Sequence, residues 1–227
     1  MPRAQSSLPL SVEITRERGR LSLSAPVDLG PVRVAALEAA IPRLRLPADL
    51  RGGANAFHAH LTTLERIRLT VSGMDLLSAA HGAGETRLRR LELREDTLVA
   101  MVAEEGYALV ARWRILPGSD GEIILAPLET LVVGFTRRPW HLLAEDLLES
   151  IGARLAPRRE SDGHRLQVLP PVLDHLFLSA GWRIPRSRLE VVALGTRSGK
   201  LSVEYGPPDT SSAVRREVGE GDEATDE

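Results

Sequence analysis

From Leu10 onward the chain alternates apolar and polar residues with a period of two. Leu10, Val12 and Ile14 alternate with Ser11, Glu13 and Thr15. After "RERGR", Leu21, Leu23 and Ala25 alternate with Arg20, Ser22 and Ser24. This predicts a glycine-turned hairpin with one apolar face. In "LGPVRVAALEAAIPRLRLP", Val32, Ala36, Leu37, Ala40 and Ile41 fall near helical spacing. A helix is expected there, opening beside Pro31 and ending at Pro42, with "RLRLP" as a short strand. "FHAHL" alternates again, and Ile67, Leu69 and Val71 oppose Arg66, Arg68 and Thr70. "GMDLLSAA" at 73–80 reads as one or two helical turns.

The middle of the chain is the richest strand region. Leu91 and Leu93 alternate with arginine and glutamate. "LVAMVA" is apolar on both faces, as a covered central strand would be. Tyr107, Leu109, Ala111, Trp113 and Ile115 form the longest alternating run. "PGSDGE" marks a turn, and "IILAP" and "LETLVVGF" follow as two further strands. Residues 139–155 predict an amphipathic helix with Trp140, Leu143, Leu147, Leu148, Ile151 and Leu155 on its apolar face. "RLQVL" reads as a short strand. "PPVLDHLFLSAGWRIP" predicts a third helix stopping at Gly181. A last hairpin brings Leu189 and Val191 against Leu201, Val203 and Tyr205.

The expected fold is α+β: long, curved antiparallel sheet of about 9–11 strands with three amphipathic helices packed on one face. Residues 1–8 read as a flexible leader, 9–206 as one domain, and 207–227 as a disordered acidic tail. The first and last hairpins match at several positions: Leu10, Val12, Gly19, Arg20, Leu21, Ser22 and Leu23 against Leu189, Val191, Gly199, Lys200, Leu201, Ser202 and Val203. The match reads either as two pseudo-repeats or as the generic likeness of half-buried hairpins.

Composition narrows the function classes. The chain has 227 residues, 43% hydrophobic but only 4% aromatic, so its core must be aliphatic. Its formal charge of −2 argues against a general grip on nucleic acid or anionic membrane. The absence of cysteine excludes disulfides, thiolate metal sites and cysteine nucleophiles. No stretch approaches the roughly 18 apolar residues needed to span a membrane. The N-terminal segment has no apolar run of secretion-signal length, and a cytoplasmic location is the expectation; peripheral membrane contact is left open.

Candidate chemistry is sparse. His58 and His60 sit two apart, but structural zinc needs four ligands and catalytic zinc three. The remaining histidines fall in different elements. "DGH" (Asp162–His164) and "LDHL" (Asp174, His175) offer an acid beside a base, with no nucleophile in a G-x-S-x-G turn. Glu104–Glu105 and Glu95–Asp96 read as solvated turn carboxylates. Arg87, Arg89, Arg90 and Arg94, with Arg66 and Arg68 on another strand, form a basic group lacking aromatic platforms, so no nucleic-acid partner is expected. No cofactor or metal is expected, and the chain reads as a non-enzyme.

The long antiparallel strands, the amphipathic helix and the "G-[RK]-L-S-[LV]" rungs at 19–23 and 199–203 resemble tubular lipid-binding (TULIP-type) domains and the AsmA-like β-groove proteins. Several members of those families are exported, whereas no signal is seen here. The resemblance implies a lipid or acyl chain held in a groove between sheet and helix. Leu109, Ala111, Trp113 and Ile115 would line one wall, and Leu143, Leu147 and Ile151 the other. Each buried methylene would contribute about 0.8 kcal/mol. The alternative is a scaffold or protein–protein interaction module in which the same residues close a dry core.

Overall fold

The terminal hairpins lie in the same sheet. In the computed structural model, which describes residues 8–15, 18–42, 53–82, 84–135, 158–160 and 163–208, strand pairing is antiparallel throughout the named strands. Sheet A contains β1 (Leu10–Thr15), β2 (Arg18–Leu23), β3 (Val27–Leu29), β4 (Val32–Ile41), β5 (Thr63–Ser72), β12 (Glu190–Arg197) and β13 (Lys200–Gly206). Its order is β1-β2-β4-β5-β13-β12, with β3 pairing β4 off this path. One hairpin therefore forms each flank of the central β4–β5 pair.

Sheet B is built from the residues between β5 and β12. It contains β6 (Leu88–Arg94), β7 (Thr97–Glu104), β8 (Tyr107–Pro117), β9 (Ile123–Gly134), β10 (Arg158–Glu160) and β11 (Gly163–Leu166), in the order β10-β11-β9-β8-β7-β6. Helix α1 (Gly73–Gly82) links the sheets and packs on β6. Helix α2 (Leu169–Leu173) follows β11 and runs on into a π-helical turn, Asp174–Leu178. The described residues are thus mostly antiparallel sheet with few helices.

The period-two pattern sorts both sheets into an apolar face and a wet one. Val34, Leu37, Ile67, Leu69, Val203 and Tyr205 from sheet A join Leu91, Leu98, Ala100, Leu109, Trp113 and Ile123 from sheet B in one continuous buried cluster. Leu176 and Phe177 of the π turn and Trp182 complete it. On the wet face of sheet A, Glu204 pairs with Arg66 at 3.1 Å and Arg68 at 2.8 Å, and Arg20 pairs with Glu38.

Several expectations from the pattern are corrected. Residues 32–41 are strand β4, not a helix. A register shift between Val34 and Ala36 puts one extra residue, Ala35, into β4, and the shift at Glu38–Ala39 puts its extra residue, Glu65, into the partner strand β5. The fully buried positions are Val34, Leu37, Ala39 and Ile41: the bulge makes the first step three residues long, and period two resumes from Leu37. "FHAHL" is not a strand: residues Gly53–Phe57 form a 3-10 turn, Phe57 enters the core, and His58 and His60 follow in a turn. "IILAP" and "LETLVVGF" are one strand, β9, bulged where β8 passes from Arg112 to Trp113. The helix expected at 139–155, the "RLRLP" strand at 43–47, residues 1–7 of the leader and 209–227 of the tail lie outside the described residues.

The matching glycines differ in use. Gly199 has φ +73 and, with Ser198 at φ 51, forms the left-handed turn between β12 and β13. Gly19 lies inside β2, opposite Ile14 and Ile41, where an added Cβ would stand 2.9 Å from Ile41 Cδ1. It serves close packing rather than the turn.

Candidate interaction site on the outer face of sheet B

Residues expected to line a groove occupy the inner face of β8. Leu109, Ala111, Trp113 and Ile115 are all buried in the shared core. The other expected wall, Leu143, Leu147 and Ile151, lies outside the described residues.

The outer face of the same sheet is different. Register aligns Arg90, Met101, Val110 and Leu131 in one row across β6, β7, β8 and β9. The next row on one side is Ala103, Ala108 and Val133; on the other it is Glu92, Val99, Arg112 and Glu129. Leu131 is 53% exposed, Val133 73% and Phe135, just beyond the strand, 80%. An apolar strip thus faces solvent along the second half of β9. Beside it lies an open cavity of about 500 Å³ with Val99, Met101 and Val110 among its lining residues and Arg90, Glu92, Arg94 and Arg112 at its rim.

The rim charges are paired. Glu92 bridges Arg90 and Arg94, the latter at 2.6 Å. Arg112 reaches Glu129 at 3.2 Å. These guanidinium groups remain about half to two-thirds exposed, so each pair is worth little in stability and keeps its arginine available to a partner. Arg66 and Arg68 belong to β5 in the other sheet and do not extend this group.

Among the described residues, the edge of β9 is also open beyond Leu125. Strand β11 pairs with Ile123, Ile124 and Leu125 only. Among the described residues, β9 from Pro127 to Gly134 pairs on one side alone, with β8. The Phe135 N–H donates to the Gly106 carbonyl at 3.1 Å, and Gly134 is opposite Tyr107. Antiparallel pairs alternate between hydrogen-bonded and non-hydrogen-bonded types. Leu109–Val132 and Ala111–Thr130 are therefore non-hydrogen-bonded, and the backbone N–H and C=O of Thr130 and Val132 point away from β8.

A second cavity of about 430 Å³ opens where the β8–β9 connection meets α2 and the segment before β12. Asp120, Asp174, Arg188 and Glu190 line it. Beneath, the buried Glu122 accepts from Arg165 at 3.2 Å and Gln167 at 3.3 Å. These contacts tie β9 to β11 and the start of α2.

The residues considered for catalysis are dispersed. His58 and His60 are exposed, and His58 Nδ1 lies 2.8 Å from the Asn55 carbonyl. Asp174 and His175 share the π turn, His164 is buried in β11, and Asp162 lies outside the described residues. Among the described residues, no group of three or more histidine, aspartate or glutamate side chains could hold a metal ion. No described helix is long and apolar enough to cross a membrane.

The apolar strip on β9 was missed by the sequence reading. Its signal was present: Leu131, Val133 and Phe135 share one parity in "LVVGF", so an outward apolar face was already written there. The chain matches no family model, no curated protein and no solved structure.

Proposed function

We propose that the chain is a non-catalytic interaction module that binds a protein through the outer face of sheet B. The observation that carries this reading is the exposure of Leu131, Val133 and Phe135 beside an arginine-rimmed cavity. Exposed apolar area bounded by polar residues is a mark of a docking surface, and arginine is enriched in such interfaces. The lipid-groove alternative needs Leu109, Ala111, Trp113 and Ile115 to face a ligand. Their burial in a core shared by both sheets supports the interaction reading instead.

The test places a photo-activatable benzoyl-phenylalanine at position 131, and separately at Glu13 on the wet face of sheet A, in cells that produce the protein. Discrete protein adducts are expected from position 131 and not from position 13. An equal absence of adducts at both would overturn the reading. Native mass spectrometry with denaturing extraction separates the alternative: near-stoichiometric acyl lipid in the purified protein would favour the groove.

A further inference from the structure

We infer that the occupant of this face is a second copy of the chain, added antiparallel along the edge of β9 that has no partner among the described residues, about a two-fold axis at Val132. The inference rests on the interaction reading above and names its partner. Three observations favour a like copy. First, the outward N–H and C=O groups of Thr130 and Val132 present a strand edge with no pairing among the described residues, and an unpaired edge is a template for another strand. A two-fold interface must be self-complementary, which antiparallel pairing of one strand with itself satisfies.

Second, the register is chosen by the side chains. Centring the axis on Val132 sets Leu131 of one copy against Val133 of the other, twice, on the outer face. Both are apolar and more than half exposed, so the pairing covers surface that water now meets. An axis at Leu131 would put Glu129 against Val133 twice, whereas the axis at Val132 confines Glu129 to the ends of the contact, opposite Phe135, and pairs all three residues whose backbone groups point outward, Thr130, Val132 and Gly134. The outer apolar strips, each continuing through Val110 and Met101, would then merge across the axis.

Third, the charge around the face is balanced. Glu92, Glu95 and Glu129 stand against Arg90, Arg94 and Arg112, so two copies approach without like-charge repulsion. A purely basic or acidic rim would have pointed to an unlike partner. The contact involves a short stretch of strand, so the dimer is expected to be concentration-dependent rather than obligate.

The experiment follows the mass of the full chain by sedimentation equilibrium over a wide concentration range. Three proteins are compared: wild type, Leu131→Glu/Val133→Glu, and Leu131→Lys/Val133→Lys. Wild type is expected to dimerise reversibly. Each charged variant should weaken self-association by about tenfold or more, equivalent to about 1.4 kcal/mol. Mixing the two variants should restore a heterodimer, because 131 and 133 face one another across the axis. Both sites are solvent-exposed, and circular dichroism checks that each variant is folded.

Amide exchange at Thr130 and Val132 supplies the second measurement: protection should rise with wild-type concentration. A wild-type monomer at every concentration would overturn the inference. So would a dimer indifferent to the charged variants, or protection of both amides in the dilute monomer, which would show the chain covering its own edge. Adducts at position 131 with other proteins, alongside a monomeric chain, would overturn the two-fold pairing and leave the docking-face reading standing. Absence of adducts together with a monomer would remove both.

Discussion

Gly121 packs over Tyr205. A Cβ added at Gly121 would lie 2.9 Å from the Leu189 carbonyl oxygen and 3.6 Å from the edge of the Tyr205 ring. The turn that joins β8 to β9 in sheet B is thereby pressed onto β13 of sheet A. Gly121 also holds φ +73, a region that L side chains enter at a cost.

Gly121→Ala should destabilise the protein by more than Gly199→Ala. Both positions have φ +73, but nothing lies within 4 Å of an added Cβ at Gly199. Gly199→Ala is expected to cost about 1 kcal/mol from backbone strain alone, and Gly121→Ala about 2–3 kcal/mol. Urea titration of both variants measures the difference, which reports the close approach between sheets. Equal losses would show that the turn can move away from β13.

Tyr205 gives a second prediction. Its side chain is fully buried and its hydroxyl has no hydrogen-bond partner among the described residues. Tyr205→Phe should therefore be neutral or stabilising by up to about 1 kcal/mol, since it removes an unsatisfied polar group while keeping the ring. Loss of more than that would reveal a hydrogen bond made in solution.

The same burial pushes the Tyr205 phenol above its ordinary value of 10.0. In the folded chain the phenol keeps its proton at a pH where the unfolded chain has released it. The unfolded state then binds fewer protons, so stability falls as pH rises above about 10. Below that value both states are protonated and the contribution is complete. Tyr205→Phe should flatten this alkaline decline, measured by denaturation at a series of pH values between 9 and 11.

Leu109→Ala and Trp113→Ala test the nature of the interior. Both side chains are almost wholly buried. In a packed core these truncations should cost about 2–5 and 3–5 kcal/mol respectively. Losses below about 1 kcal/mol, with bound lipid in the purified protein, would identify a ligand-lined cavity instead.

On the wet face of sheet A, Glu204→Ala should cost about 0.5–1 kcal/mol, an effect that shrinks as salt is added. Its partners Arg66 and Arg68 are about half exposed, which limits what the pairs contribute. A double-mutant cycle with Arg68→Ala isolates the pair, and a coupling above about 1.5 kcal/mol would show it better shielded than its exposure implies.

Regular alternation made much of the sheet legible. β1, β2, β8 and β13 fall where the period-two runs lie because they keep one face without a register shift, and β5 and β12 were legible because their runs, Ile67–Leu69–Val71 and Leu189–Val191, lie to one side of the extra residues Glu65 and Val192. β4 was misread because a bulge at Ala35 moves its buried residues out of phase between Val34 and Leu37. "FHAHL" misled for another reason: Phe57 alone is anchored, and three alternating positions cannot distinguish a strand from a turn with one buried ring. The site was less legible than the fold. Sequence parity assigns residues to two faces but does not say which is covered, so attention went to Leu109 and Trp113 on the inner face rather than to Leu131 and Val133 on the outer one.

Sheet A encloses sheet B in the order of synthesis. β5 waits for β13, which begins at Lys200, while β6, β7, β8 and β9 follow one another through short connections. On a ribosome the inner meander can form as soon as it emerges, whereas the bare edge of β5 stays unpaired until almost all of the described chain has been made. That edge carries Leu64, Ile67 and Leu69. A ribosome stalled after β9 would hold the β6–β9 meander of sheet B beside five of the seven strands of sheet A, and nascent chains of this protein should draw chaperones over that interval rather than earlier.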